Sequence, residues 1–298
     1  MRAPSAMRLA CLLGLALATP KSGVDVWAQA GSRERAIFVS ALDDRGNPVE
    51  GLGPGDFIIR ENGQRREVLR VSRAIDPIDI ALLVDNSASS WTAIPSMRNG
   101  LKSFVASMAD GNQIALVALA DRPTILVDYT SSRTRLEAGV GRLFALDGSG
   151  MTFLDAVAEV SAGLRRRDTT RAAIVPILTT GVEYSNRHAR DVIESMKNAG
   201  AALHVVVVGV MEGVEPADRE RAFLLDAGTR ESGGQHVTLL SEMAIEQALQ
   251  KIARELSSQY KVVYGRPESL IPPDKTDVTS GRTGVTMRGT PMRGTPGA

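Results

Sequence analysis

Ile80-Ala81-Leu82-Leu83-Val84-Asp85-Asn86-Ser87-Ala88-Ser89 is an unbroken apolar run that ends on one carboxylate and two hydroxyls at alternate positions. Apolar residues with no polar alternation read as a strand buried on both faces, as in a parallel sheet covered by helices. The segment after it has another period. From Thr92 to Ala109, the residues Ile94, Met97, Leu101, Phe104, Val105 and Met108 recur at helical spacing on one face. That face is a core stripe.

Downstream the same alternation repeats. Buried strands are expected at Ile114 to Leu119, Thr124 to Val127, Ala172 to Leu178, Leu203 to Val208 and Gln235 to Thr238. Helices are expected at Arg133 to Phe144, Phe153 to Arg166, Arg187 to Ala199, Ala217 to Asp226 and Glu242 to Ser257. Strands alternating with helices make an α/β, doubly wound, mostly parallel sheet of Rossmann-like type. Such sheets bind ligands outside the C-terminal ends of their strands, which is where Asp85, Ser87 and Ser89 fall. Alternate positions on an extended turn project three oxygens to one side, and hard divalent cations such as Mg²⁺ take oxygen ligands. Helix capping would also use an Asp, Asn or Ser here.

Asp85-x-Ser87-x-Ser89 after a buried strand resembles the von Willebrand factor A family, whose metal-ion-dependent adhesion site bridges the protein to a carboxylate on its ligand. The resemblance runs from about Asp79 to Ser257. Gly148-Ser149-Gly150-Met151-Thr152 is similar to the family's Gly-Gly-Thr loop and implies that Thr152 is a further metal ligand. The text from Ala115 through Asp121-Arg122-Pro123 to Asp128-Tyr129-Thr130-Ser131 is similar to the second and third strands. Ile174 to Gly181 is similar to the fourth strand and its loop, with one departure: Thr180 stands where the family's Thr-Asp-Gly has its acid. The implied metal set is therefore Asp85, Ser87, Ser89 and Thr152, for Mg²⁺, Mn²⁺ or Ca²⁺. It has one carboxylate, and weak binding or none is expected. Glu183 would substitute for the missing acid only if its loop curls back.

The flanks are β-like. Ala36 to Leu42, Asp56 to Arg60 and Glu67 to Val71 precede the α/β text, with a turn at Glu61-Asn62-Gly63, and Tyr260 to Tyr264 follows it. Val39 to Val49, Gly51-Leu52, Asp56-Phe57 and, at the far end, Ile252 to Tyr260 resemble bacterial VWFA-related proteins with a leader, a short β segment and a C-terminal β extension. Neither flank can bury a core alone, so the two are expected to pair into one small β unit. Met-Arg-Gly-Thr-Pro occurs twice, from Met287 and from Met292, and this Gly/Pro/Thr text reads as a mobile tail. The expected organisation is 1–30 leader, 31–76 β segment, 77–257 von Willebrand factor A domain and 258–298 β extension with tail.

Arg2 and Arg8 precede the apolar stretch Leu9 to Ala18, with small residues at Ala16-Leu17-Ala18 and Ala28-Gln29-Ala30, which reads as an export leader. About ten apolar residues are too few to span a hydrocarbon core that needs ~20. A periplasmic or secreted product follows. The single cysteine, Cys11, lies in this leader, so the product has no disulfide.

A formal net charge of +1 argues against electrostatic capture of nucleic acid. Ser87 and Ser89 lack the Gly-x-Ser-x-Gly elbow of a hydrolase. Gly51-Leu52-Gly53-Pro54-Gly55 reads as a turn rather than a phosphate cradle. His188, His204 and His236 have no metal-ligand spacing, and His204 reads as a satisfied residue at the edge of the core. No catalytic residue is expected. The leading reading is a non-enzymatic module that binds a protein through its strand-tip loops. The alternatives are a metal-independent scaffold and, far behind, a Rossmann-like enzyme.

Overall fold

The computed structural model describes residues 32–210, 215–267, 273 and 275–292. The leader, Cys11 and residues 293–296 of the second repeat lie outside the described residues. Four strands precede the apolar run: β1 (Ser32–Leu42), β2 (Phe57–Glu61), β3 (Gln64–Arg66) and β4 (Val68–Arg73). The run itself is β5 (Asp79–Val84), buried along its whole length. The rest of the body comprises α1 (Ile94–Met108), β6 (Gln113–Ala118), β7 (Thr124–Thr130), α2 (Arg133–Gly141), α3 (Phe153–Arg167), β8 (Ala172–Leu178), α4 (Ala189–Ala199), β9 (Ala201–Val208), α5 (Pro216–Phe223), α6 (Thr229–Ser232), β10 (Gln235–Leu239) and α7 (Ile245–Ser257). Three strands close the described chain: β11 (Tyr260–Pro267), β12 (Thr276–Ser280) and β13 (Thr286–Pro291).

The central sheet runs β10-β9-β8-β5-β6-β7, parallel except for the antiparallel edge β7. Each face carries its own apolar layer. Ile80, Leu82 and Val84 pack with Met97, Leu101, Phe104 and Leu249 under α1 and α7, while Ala81 and Leu83 pack with Phe153, Val157 and Met196 under α3 and α4. This two-sided burial is why β5, β8 and β9 read as continuous apolar runs. The doubly wound α/β architecture is therefore as expected from the sequence.

The flanks pair as expected too. β1 lies between β11 and β13, β4 pairs with β11, and β12 pairs with β2, giving a four-stranded and a three-stranded antiparallel sheet. Ile37, Val39, Phe57, Ile59, Val262, Tyr264 and Met287 form their shared core. Two local readings change. The Asn62-Gly63 turn joins β2 to the short β3, and β4 leaves for the other sheet. The first Met-Arg-Gly-Thr-Pro copy is not a tail but β13, because Met287 is buried in the β core while Thr290 Oγ1 donates to Ser232 O at 2.8 Å.

The two units are joined by buried polar groups. Arg171, at the foot of β8, donates to Gln259 Oε1 at 2.7 Å and to Asp76 O at 3.1 Å. Burial draws its guanidinium down to about 10. Arg288 on β13 pairs with Glu255 on α7 at 2.7 Å. The helix expected through Phe144 ends at Gly141, and the one expected through Asp226 runs on through a π turn at Leu224–Gly228 into α6. The first change frees Phe144 into a loop.

Candidate functional site

The parallel register sets Val84 opposite Ile177 on β8 and Ala118 on β6, so the chain leaves all three strands at one edge of the sheet. Asp85 is fully buried there. Its Oδ1 accepts from Ser87 N–H at 2.9 Å, and its Oδ2 accepts from Thr179 N–H at 3.0 Å and from the Thr179 hydroxyl. Asn86 fastens the same turn to β6 by accepting from Leu119 N–H at 3.0 Å and Ala120 N–H at 2.8 Å.

The hydroxyls continue from Asp85 as a chain. Ser89 Oγ lies 2.6 Å from Thr179 Oγ1, and Ser87 Oγ lies 3.0 Å from Ser89 Oγ. Each hydroxyl has one proton and two lone pairs. Thr179 spends its proton on the carboxylate, so Ser89 must donate to Thr179, and Ser87 must donate to Ser89. All three protons point inward along the chain. What remains toward the surface is lone pairs, with Ser89 the exposed member. Gly181 closes over this chain: a Cβ there would sit 2.5 Å from Ser89 Oγ and 2.8 Å from Ser87 Oγ.

The structure thus brings together Asp85, Ser87 and Ser89. Thr152 is buried at the start of α3, and its hydroxyl donates to Leu119 O at 2.9 Å rather than joining the chain. Thr180 is exposed and its methyl faces Gly209, where an added Cβ would lie 2.7 Å away. The inward partner is its neighbour Thr179, which the sequence reading missed. Glu183 does curl back, but to α3: it accepts from Phe153 N–H at 3.1 Å and from Ser185 N–H at 3.0 Å. Its Oε2 is buried without a hydrogen-bond partner, and burial pushes the carboxyl up to about 7.

These oxygens suit a hard cation by kind, since the lone pairs of Ser87, Ser89 and Thr152 remain available. They supply one formal charge, and both oxygens of that carboxylate already accept hydrogen bonds. Affinity for a divalent ion rises with ligand charge, so the set favours weak binding. No cluster of three or more His, Cys, Asp or Glu occurs among the described residues.

Around this polar centre the tip loops expose apolar side chains. Trp91, 69% exposed, follows the serines. Phe144 and Leu146 lie in the loop before Thr152, which Leu146 N–H ties to Asn86 O at 2.8 Å. Val182 and Tyr184 flank Glu183, and Val210 follows β9. Leu240, 91% exposed, and Met243, 85% exposed, follow β10. Single exposed apolar residues are ordinary, but a concentration at one end of a domain marks an interaction surface.

The histidines take no part. His188 Nδ1 is 3.3 Å from Glu220 Oε1, and His236 Nδ1 is 3.1 Å from Leu225 O. His204 is wholly buried on β9, yet neither ring nitrogen has a partner, which corrects its reading as a satisfied residue.

Comparison with known proteins agrees with this geometry. The family model for the von Willebrand factor type A domain matches residues 80–183. A solved von Willebrand factor type A structure from Catenulispora acidiphila is similar at 12% identity and TM-score 0.51, over 89% of this chain and 74% of that one. Proximal thread matrix protein 1 from the mussel byssus is similar at 15% identity and TM-score 0.52, over 70% of this chain. This chain spans 50% of the byssus protein's length. No curated protein matches it in sequence. The segment of residues 80–183, with the strand-tip motif it carries, is thus the part of the chain that matches the von Willebrand factor type A domain family.

Proposed function

We propose that this chain is a non-enzymatic binding module that takes a protein partner at its strand tips. The observation that carries the reading is the ring of exposed apolar side chains, Trp91, Phe144, Tyr184, Leu240 and Met243 among them, around a buried oxygen-lined centre. Aromatic and methionine side chains are enriched in the desolvated centres of protein interfaces. Among the described residues no helix is long and apolar enough to cross a membrane. The leader-like text at 1–30 supports an exported product, periplasmic or secreted, which would meet its partner outside the cytoplasm.

Asp85, Ser87, Ser89 and Thr152 are the residues that would hold Mg²⁺ or Mn²⁺. Such an ion would supply positive charge at the tip, held weakly for want of a second carboxylate. The test is partner capture from the organism's envelope fraction by the chain and by two variants, Trp91→Ala with Tyr184→Ala, and Ile75→Ala. Ile75 is also highly exposed but precedes β5 at the opposite edge of the sheet. Loss of the same captured protein with the first variant alone is expected. Equal capture by both would place the interface elsewhere.

A further inference from the structure

Each side chain of the first Met-Arg-Gly-Thr-Pro copy meets a specific neighbour, far from the strand tips. β13 lies against β1, and its residues alternate between two layers. Met287 and Gly289 face the β core. Met287 is buried with Ile37, Val39 and Val278, and a Cβ on Gly289 would sit 2.6 Å from Ile37 Cδ1 and 2.7 Å from Val278 Cγ2. Arg288 and Thr290 face the α/β body, where Arg288 pairs with Glu255 at 2.7 Å and the Thr290 hydroxyl donates to Ser232 O at 2.8 Å. The Gly289 carbonyl is equally confined, since a Cβ on Gly233 would come within 2.3 Å of its oxygen. The slot beside β1 is thus cut for methionine, arginine, glycine and threonine in that order.

The chain spells that order twice, because residues 292–296 repeat residues 287–291. A strand slipped by an odd number of residues ordinarily turns every side chain to the wrong face. A slip of five residues here puts Met292, Arg293, Gly294 and Thr295 in the places of Met287, Arg288, Gly289 and Thr290, so each layer meets the same side chain. The ladder survives as well. Met292 N–H donates to Ala36 O at 3.0 Å, and the antiparallel alternation then gives the N–H groups of Phe38 and Ser40 to the carbonyls of Thr290 and Arg288. After the slip Gly297 stands in for Met292 and still has an N–H. One donor is lost, because Pro291 replaces Thr286, but that is the exposed first residue of the strand, where proline is tolerated. The connection from β12 grows from residues 281–285 to residues 281–290, and doubling a loop disfavours a state by only about threefold.

We propose that the β13 slot is a binding site for an extended Met-Arg-Gly-Thr segment and accepts either copy, with residues 292–296 of the same chain as its second, minority occupant. The exchange transfers five residues, about 17 Å of extended chain, from beyond β13 to the loop after β12.

The test uses the full chain carrying Cys11→Ser. Gly289→Val spoils the first copy for the slot, and Gly294→Val spoils the second. Hydrogen exchange at the Phe38 and Ser40 amides is expected to stay within about tenfold of the parent in either single variant and to rise about a hundredfold or more in the double variant. A cysteine pair identifies the occupant. Ala41 stands opposite Met287 at a position without ladder hydrogen bonds, whose close Cα spacing suits a disulfide. Ala41→Cys with Met292→Cys should therefore close within one chain in the Gly289→Val background, and about tenfold more slowly where Gly289 is kept. Exchange in Gly289→Val as fast as in the double variant would overturn the proposal. Retained protection without that disulfide would also overturn it, because the first copy would then have kept its place. A disulfide formed between two chains would do the same, by showing that the second copy fills a neighbour's slot.

Discussion

Thr179 gives both its backbone N–H and its hydroxyl proton to the same oxygen of Asp85, so the first residue after β8 holds the carboxylate that follows β5. Thr179→Val should leave that buried oxygen one donor short, costing on the order of 1–3 kcal/mol. Thr180→Val, one position on but exposed, should stay within about 0.5 kcal/mol of the parent. Urea denaturation of the two variants separates them. Equal effects would mean that the hydroxyl chain does not hold the loop.

A second charge should repair metal binding. Thr180→Asp places a carboxylate where the family has one, and calorimetry should then show Mg²⁺ bound about tenfold or more tightly than by the parent. Asp85→Ala should abolish the heat in both backgrounds. If Thr180→Asp gains nothing, the closure of Gly181 over Ser87 and Ser89, rather than the missing acid, is what limits the site.

Glu183 should make the fold less stable at neutral pH than in mild acid. Burial raises its carboxyl to about 7, against the ordinary 4.5, and outweighs the N–H groups of Phe153 and Ser185 that favour the anion. The folded state therefore holds this proton more tightly than the unfolded one. Its contribution is fully present below pH 4.5 and fades as pH rises through about 7, by on the order of 2–3 kcal/mol. Glu183→Gln should flatten the stability profile between those two values. An unchanged slope would show that the carboxyl titrates normally.

His204 works in the opposite sense. Burial keeps its imidazole neutral and lowers its pKa below 6.5; the carboxylate of Glu255 opposes that shift and Arg288 adds to it. Its contribution is complete above pH 6.5 and is lost as pH falls through the lowered value. Because Arg288 and Glu255 tie β13 to α7, hydrogen exchange in β13 should speed up as pH falls below 6.5, and His204→Phe should suppress the change. Acceleration that survives in His204→Phe would assign it to Glu255 instead.

The depth of β5, β8 and β9 was legible because two-sided burial leaves apolar runs that no exposed segment resembles. The meeting of the flanks was legible because neither could bury a core alone. Thr179 and Thr180 were not separable, since two adjacent hydroxyls differ only in which face the last residue of a strand presents. Glu183 could replace the missing acid only if its loop curls back, and no sequence pattern shows that a curled loop takes it to the free N–H groups of α3 instead. Phe144 was counted into a helix that stops at Gly141. The tip ring of Trp91, Leu240 and Met243 had no periodic signal, because loop residues have no period. The first Met-Arg-Gly-Thr-Pro copy looked like linker text, yet an edge strand tolerates glycine and proline where a central one does not.

The position of β1 between β11 and β13 also sets a timetable for the molecule's birth. Ser40 touches Gln259, 219 residues further along the chain. At ribosomal speeds of ~5–20 residues per second, β1 waits about 10–45 s before its neighbours exist. Throughout that interval Ile37, Phe38 and Val39 are a sticky ribbon with no legitimate mate, while the α/β body between them and β11 can already close on itself. The β unit is thus the last piece to assemble, and any holding factor that shields the emerging chain has this ribbon as its natural client.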